Sequence, residues 1–302
     1  MVRIIPREQI KHLEWNQNTA PTTEQTTPAP VGTTSPVRST LVHSIGDLTI
    51  ESLINNKNVF YNSNLPTAYT EAQNFAVSGV VATMPYLIAG KAIANKKNYL
   101  WKDWYTANTE EDIGIDVEGL YAPKGKPVLI TLHGGGILTP ERITKAYEDG
   151  LTSQNAATLL QEDIDKLLQD GILPSGETIQ IYALDDLKKG ISDPFGRYAV
   201  ITDFEIVKSL ESKQYKKKDF LENPLVLARA GVMDYLEKYY DKAHDEDGVG
   251  CWHRFNEIDS SIPQGRLLYL DGSYFGLDGD YNLFNIGCFV GVAPEALSAR
   301  KK

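Results

Sequence analysis

Val128-Leu129-Ile130-Thr131-Leu132 (VLITL) is a short apolar run between the turn-forming Pro123-Lys124-Gly125-Lys126-Pro127 and the turn His133-Gly134-Gly135-Gly136. A run of that length, bounded by turn residues, is the pattern of a strand covered on both faces. Downstream, Thr139-Pro140 supplies an N-cap followed by a proline at the first helical position, and Gly150 closes that helix. Thr158 opens a second helix whose Leu159, Leu160, Ile164, Leu167 and Leu168 share one face, and Gly171 ends it. A strand over 178–182, a helix over 184–189 and a strand over 198–202 follow. Asn223-Pro224 begins a helix that runs to about Lys242 around Gly231. Strands are expected at 266–270 and 284–292. Helices interspersed with strands point to an α/β or α+β domain, a mixed sheet with flanking helices, over residues 123–302.

Upstream the pattern changes. Residues 41–122 read as a mainly helical subdomain, with one long apolar helix from Thr67 to Lys96 broken near Pro85, and with Trp101, Trp104 and Tyr105 as aromatic anchors. Ala72 to Gly90 carries no charge, yet Gln73, Asn74, Ser78, Gly79, Thr83 and Gly90 make it too polar for a bilayer. It is expected to be a buried helix. Residues 1–40 contain an extended arm: positions 19–40 hold eight threonines and four prolines and no apolar period. Such a stretch cannot offset its own ordering entropy by burial, so it gains order only against another surface.

The whole chain has 302 residues, 42% of them hydrophobic, with 40 acidic and 30 basic residues and a formal net charge of −10. A globular core is affordable at this length without staples. The acidic balance works against phosphate backbones and anionic lipid, so neither nucleic acid nor a membrane is an expected partner. Two cysteines, Cys251 and Cys288, are too few for a disulfide framework and fit a non-oxidising compartment or an assembled particle. Arg7, Glu8 and Lys11 stand where a signal peptide needs apolar residues. No cofactor motif is expected.

Several short constellations point toward chemistry. Leu132-His133-Gly134-Gly135-Gly136, directly after a strand, resembles the HGGG oxyanion-hole motif of hormone-sensitive-lipase-type esterases, in which glycine amides stabilise a developing oxyanion. The resemblance covers about ten residues, and the chain departs from it in having no G-x-S-x-G nucleophile elbow. Asp271-Gly272-Ser273-Tyr274-Phe275-Gly276 places its second glycine one residue late. A strand running into His-Gly is also similar to the histidine motif of caspase-like cysteine peptidases. That resemblance implies His133 as base and Cys288 or Cys251 as nucleophile, although the Ala-Cys pattern is missing.

Cys251 and His253 stand two apart, near His244, Asp245, Glu246 and Asp247, without the regular four-ligand spacing of structural zinc. Asp278-Gly279-Asp280-Tyr281-Asn282 resembles the first half of a calcium loop, but Leu283 and Phe289 occupy the glycine and glutamate positions of an EF-hand. A simpler divalent-cation site would use Asp271, Asp278 and Asp280. Lys213, Lys216, Lys217 and Lys218 form a basic cluster. Trp252, Phe255, Tyr269, Tyr274, Phe275, Tyr281 and Phe284 crowd the C-terminal part, where aromatics can line a pocket or an interface.

No catalytic set is complete, and an enzyme is not the favoured reading. The sequence points to a structural or assembly protein, a subunit of a virion-like, tail-like or other multi-subunit particle, whose N-terminal arm contacts neighbouring protein subunits. The alternatives are a cysteine-dependent hydrolase with His133 as base and a small-ligand-binding module.

Overall fold

The computed structural model describes residues 50–77, 79–272, 276–280, 283 and 286–293. The arm expected over 1–40 lies outside them. The apolar run at Val128 is the middle of β4 (Lys126–His133), one of nine strands in a mixed sheet. The others are β3 (Tyr105–Asp116), β5 (Ala157–Thr158), β6 (Gln180–Ala183), β7 (Tyr198–Asp203), β8 (Lys213–Tyr215), β9 (Val249–Trp252), β10 (Gln264–Leu270) and β11 (Leu277–Asp278). Their order across the sheet is β6-β7-β4-β3-β10-β11-β9-β8, with β5 paired to β10. Both β4 and β10 run antiparallel to β3, whereas β6–β7 and β11–β9 are parallel pairs. A smaller antiparallel sheet places β12 (Gly287–Val292) between β1 (Val59–Asn62) and β2 (Val80–Val81).

Helices flank both faces, so the fold is α+β with a mixed sheet. On one face lie α2 (Leu65–Asn74), α4 (Pro140–Asp149) and α5 (Gln161–Asp170), whose apolar residues pack with Val128, Ile130 and Leu132 of β4. On the other lie α3 (Met84–Ile93), α9 (Pro224–Ala230) and α10 (Met233–Ala243), packed with Leu129 and with Ile113 of β3. Alternate residues of one strand thus enter opposite cores, as the two-residue period of a strand requires. The shorter helices are α1 (Ile50–Asn55), α6 (Leu184–Lys189), α7 (Phe204–Lys208) and α8 (Lys217–Glu222).

Local punctuation set most boundaries. The Thr139 side chain accepts from Arg142 N at the start of α4, and Pro140 sits in its first turn. Gly171 closes α5 in the left-handed region at φ 67°. Gly231 (φ 63°) ends α9, so the helix expected from Asn223 to Lys242 is two helices. A side chain at 231 would also meet the Tyr198 hydroxyl at 2.3 Å.

Two expectations require correction. The long helix over 67–96 is not continuous: α2, β2 and α3 divide it. Pro85 lies in the first turn of α3 and does not break a helix there, because first-turn N–H groups have no intrahelical acceptor to lose. The mainly helical subdomain over 41–122 gives way at Tyr105 to the 12-residue β3, the strand at the centre of the sheet. The described residues all belong to one compact unit. Among them, no helix is long and apolar enough to cross a membrane.

Candidate functional site

The sequence of β3, Tyr-Thr-Ala-Asn-Thr-Glu-Glu-Asp-Ile-Gly-Ile-Asp, falls in the stretch expected to be mainly helical and is rich in polar residues, yet Glu110 and Asp112 are fully buried and Glu111 is 2% exposed. Three adjacent carboxylates inside a core demand three separate accounts, since an unpaired buried charge is costly.

Glu110 points to the α4 face, where its two oxygens accept from Ile137 N at 2.9 Å and Leu138 N at 2.6 Å. Those amides follow the three-glycine turn. Gly134, Gly135 and Gly136 adopt φ 92°, 66° and 145°, and a side chain on Gly135 would meet the Asn108 carbonyl at 2.5 Å. The turn that resembles an oxyanion hole therefore does cradle an oxyanion, the chain's own Glu110. Burial nonetheless pushes this carboxyl up to about 7, outweighing the lowering by its backbone donors.

Glu111 points to the opposite face and receives a two-pronged pair from Arg229, Nε at 2.7 Å and Nη2 at 2.8 Å. Arg229 Nη1 also donates to Trp252 O at 2.8 Å and Leu277 O at 3.3 Å. One guanidinium on α9 thus joins β3, β9 and β11. Asp112, on the same face as Glu110, has no hydrogen-bond partner at either oxygen among the described residues. Burial, then the charges of Glu110 and Glu111, hold its pKa well above the usual carboxylate range, which favours its protonated form.

His133, the residue singled out as a base, ends β4 opposite Thr109. Its Nε2 lies 3.0 Å from Ala228 O and its Nδ1 3.3 Å from Thr109 Oγ1. A carbonyl can only accept, so Nε2 carries the proton. Burial lowers the pKa to about 4. Neither cysteine joins it among the described residues. Cys251 Sγ lies 3.5 Å from Arg229 Nη1, and Cys288 sits in β12 opposite Tyr61. Burial pushes the two thiols up to about 11 and about 12 respectively, so both are thiols at neutral pH, and no histidine hydrogen-bonds either among the described residues.

The three aspartates considered for a cation do not converge either. Asp271 stands beyond the end of β10, its N–H donating to Gly276 O at 3.0 Å, while Asp278 pairs with Tyr269 further along the ladder. Asp280 N donates to Asp278 Oδ1 at 2.8 Å, and Asp280 Oδ2 faces Arg254 Nε at 3.5 Å. Among the described residues no group of three or more His, Cys, Asp or Glu is placed to hold a metal ion. The lysine cluster is tied down locally: Lys213 pairs with Glu211, Lys216 donates to Glu246 O, and Lys217 pairs with Glu237 at 2.9 Å and Asp241 at 2.6 Å. A groove of about 630 Å³ between α2 and α4, lined by Asn64, Thr67, Glu71, Glu141, Thr144 and Glu148, contains none of these residues.

The C-terminal segment that crosses the sheet is fixed at separated points. Leu277 and Asp278 lie between β10 and β9, and Gly279 N donates to Trp252 O at 3.0 Å. Gly276 (φ 75°) passes so near β9 that a side chain there would meet Gly250 O at 2.2 Å. Leu283, 1% exposed, donates through its N–H to Asn155 O at 3.1 Å and accepts from the Tyr147 hydroxyl. β12 then fixes residues 287–292. In the chain between these anchors stand Ser273-Tyr274-Phe275, Tyr281-Asn282 and Phe284-Asn285. Trp104 rests on Tyr269 of β10, with ring centroids 5.7 Å apart.

No protein-family model and no curated protein matches the chain. A solved structure described as the accommodation of massive sequence variation in Nanoarchaeota by the C-type lectin fold is similar to it. That similarity has a TM-score of 0.59 at 26% identity and covers 80% of this chain and 100% of the other. The likeness concerns the fold: the described α+β arrangement is similar to that of a C-type lectin domain.

Proposed function

We propose that this chain is a recognition protein in which a C-type-lectin-like scaffold carries a contact segment, residues 271–286, for a macromolecular partner. The observation that carries this reading is the composition of the sequence set among these anchors. Residues 276–280, 283 and 287–292 are held by backbone bonds and burial. In the sequence, Ser, Tyr, Phe, Tyr, Asn, Phe and Asn stand at the seven positions 273–275, 281–282 and 284–285. Tyr, Ser and Asn, with other aromatics, are what binding loops use, because they offer large contact area and adaptable hydrogen bonds at low entropy cost. The similar structure, in which a C-type lectin fold accommodates sequence variation, supports the same division of labour.

No acid, base or nucleophile acts in this reading. The arm over 1–40 belongs to it as the device that gathers copies into an assembly, on the strength of its Thr/Pro composition. Two experiments test the proposal. A library randomised at the seven positions should yield folded binders to an unrelated protein, whereas a collapse of folding across that library would overturn the contact reading. Light scattering on the full chain and on a form starting at Thr40 should show a larger species only with the arm. Equal masses would remove the arm's role.

A further inference from the structure

Lys91, in the last turn of α3, is fully buried, and its ammonium donates to the carbonyl of Asp271. It lies 5.3 Å from the centroid of the Trp101 ring, and Trp101 Nε1 donates back to Lys91 O at 3.2 Å. Trp101 in turn stacks on Tyr239 of α10. On the far side, Gly272 fits so tightly that a side chain would meet Asp103 O at 2.9 Å and Trp101 O at 3.1 Å. Asp271 N closes the turn onto Gly276 O. The first residues of the C-terminal segment are therefore seated on a buried lysine.

We infer that Lys91 is a positioning residue at the end of β10: its ammonium fixes the Asp271 carbonyl and with it the Asp271 N–Gly276 O bond that closes the turn, and loss of its proton loosens that bond. The inference rests on the recognition reading for the turn's use but not for its existence. A buried ammonium with one carbonyl acceptor, and no ion pair among the described residues, has little to replace its hydration. The groups that bear on it are known. The carboxylates of Asp271 and Asp103 favour the proton, Lys96 disfavours it, and Tyr239 presents a hydroxyl on the α10 side. Burial outweighs the carboxylates and brings Lys91 down to about 7, so its proton is exchanged near neutrality. A charged donor holds a carbonyl more strongly than a neutral amine, so the turn is tighter below that pH than above it.

The test uses the full chain labelled with ¹³Cε-lysine. One lysine should titrate about three units below the others, and Lys91→Met should remove that signal. Amide exchange at Gly272 and Leu277, corrected for intrinsic chemistry, should lose protection about fivefold between pH 6 and 8.5 in the wild type and change little in the variant. Lys91 titrating with the surface lysines, or equal pH dependence in both proteins, would overturn the inference. Should Lys91→Met not fold, the wild-type titration and exchange decide by themselves. If the exchange step appears while the seven-position library fails to fold, Lys91 still clamps the turn and only its service to recognition falls.

Discussion

Two polar regions of this molecule are handled in opposite ways. The Glu110–Asp112 stretch of β3 puts three acids in the core, with two backbone amides for Glu110, an arginine fork for Glu111, and a pKa raised well above the usual range for Asp112. In the 271–286 stretch the sequence sets polar and aromatic residues among points anchored by glycine fit and backbone bonds, at Gly272, Gly276, Gly279 and Leu283. The contrast teaches that polarity does not mark a site: the buried acids of β3 serve architecture, and in our proposal the residues set among the anchors serve a partner.

That contrast is broken most severely at Glu111. Replacing it with Gln or Leu leaves Arg229 buried without its carboxylate, and the expected loss is about 3–5 kcal/mol of unfolding free energy in a urea titration. Glu111→Leu with Arg229→Met should recover much of that loss; no recovery would mean that the pair is not an isolated couple.

Next in size is a pH effect. Glu110 has a folded pKa raised to about 7 against 4.5 for an exposed group, so the folded state binds more protons between those values. The resulting stability is complete below about pH 4.5 and is lost as the pH rises toward 7, by roughly 3 kcal/mol for this group. Asp112, also raised, works in the same direction. His133, lowered to about 4 from 6.5, acts oppositely over much of the same range, its stability appearing as the pH rises toward 6.5. The Glu110 effect is therefore read as a difference: the loss of stability between pH 5 and 7.5 in thermal unfolding should be larger for the wild type than for Glu110→Gln.

Gly135→Ala should cost about 1–3 kcal/mol, since φ 66° and the 2.5 Å approach to Asn108 both oppose a side chain. The smallest effect is expected at the proposed contact positions: Tyr274→Ser or Asn282→Ala should stay within about 0.5 kcal/mol in the same denaturation assay.

Much of the scaffold was legible because punctuation residues act locally. Thr139-Pro140, Gly150, Gly171 and Asn223-Pro224 cap or end helices where the sequence places them, and VLITL has the signature of a strand with two covered faces. The central strand was not legible, because Glu110, Glu111 and Asp112 look like a solvated run until Ile137, Leu138 and Arg229 arrive from 27 to 118 residues away. Helix and loop were the natural readings of Thr-Glu-Glu-Asp; only tertiary partners make it a core strand. His133 stood out for its glycines, yet the function of those glycines is to bring two amides onto Glu110. The sequence signal behind the proposed contact segment is its crowd of aromatics, Tyr274, Phe275, Tyr281 and Phe284.

The most direct measurement is the melting temperature of a single variant in which Ser273, Tyr274, Phe275, Tyr281, Asn282, Phe284 and Asn285 are all replaced, the aromatics by Ser and the rest by Ala. A scaffold that stands apart from its contact residues keeps a cooperative transition within about 4 °C of the wild type. Loss of that transition would show that these seven residues hold the fold together, and would contradict the division between scaffold and contact segment.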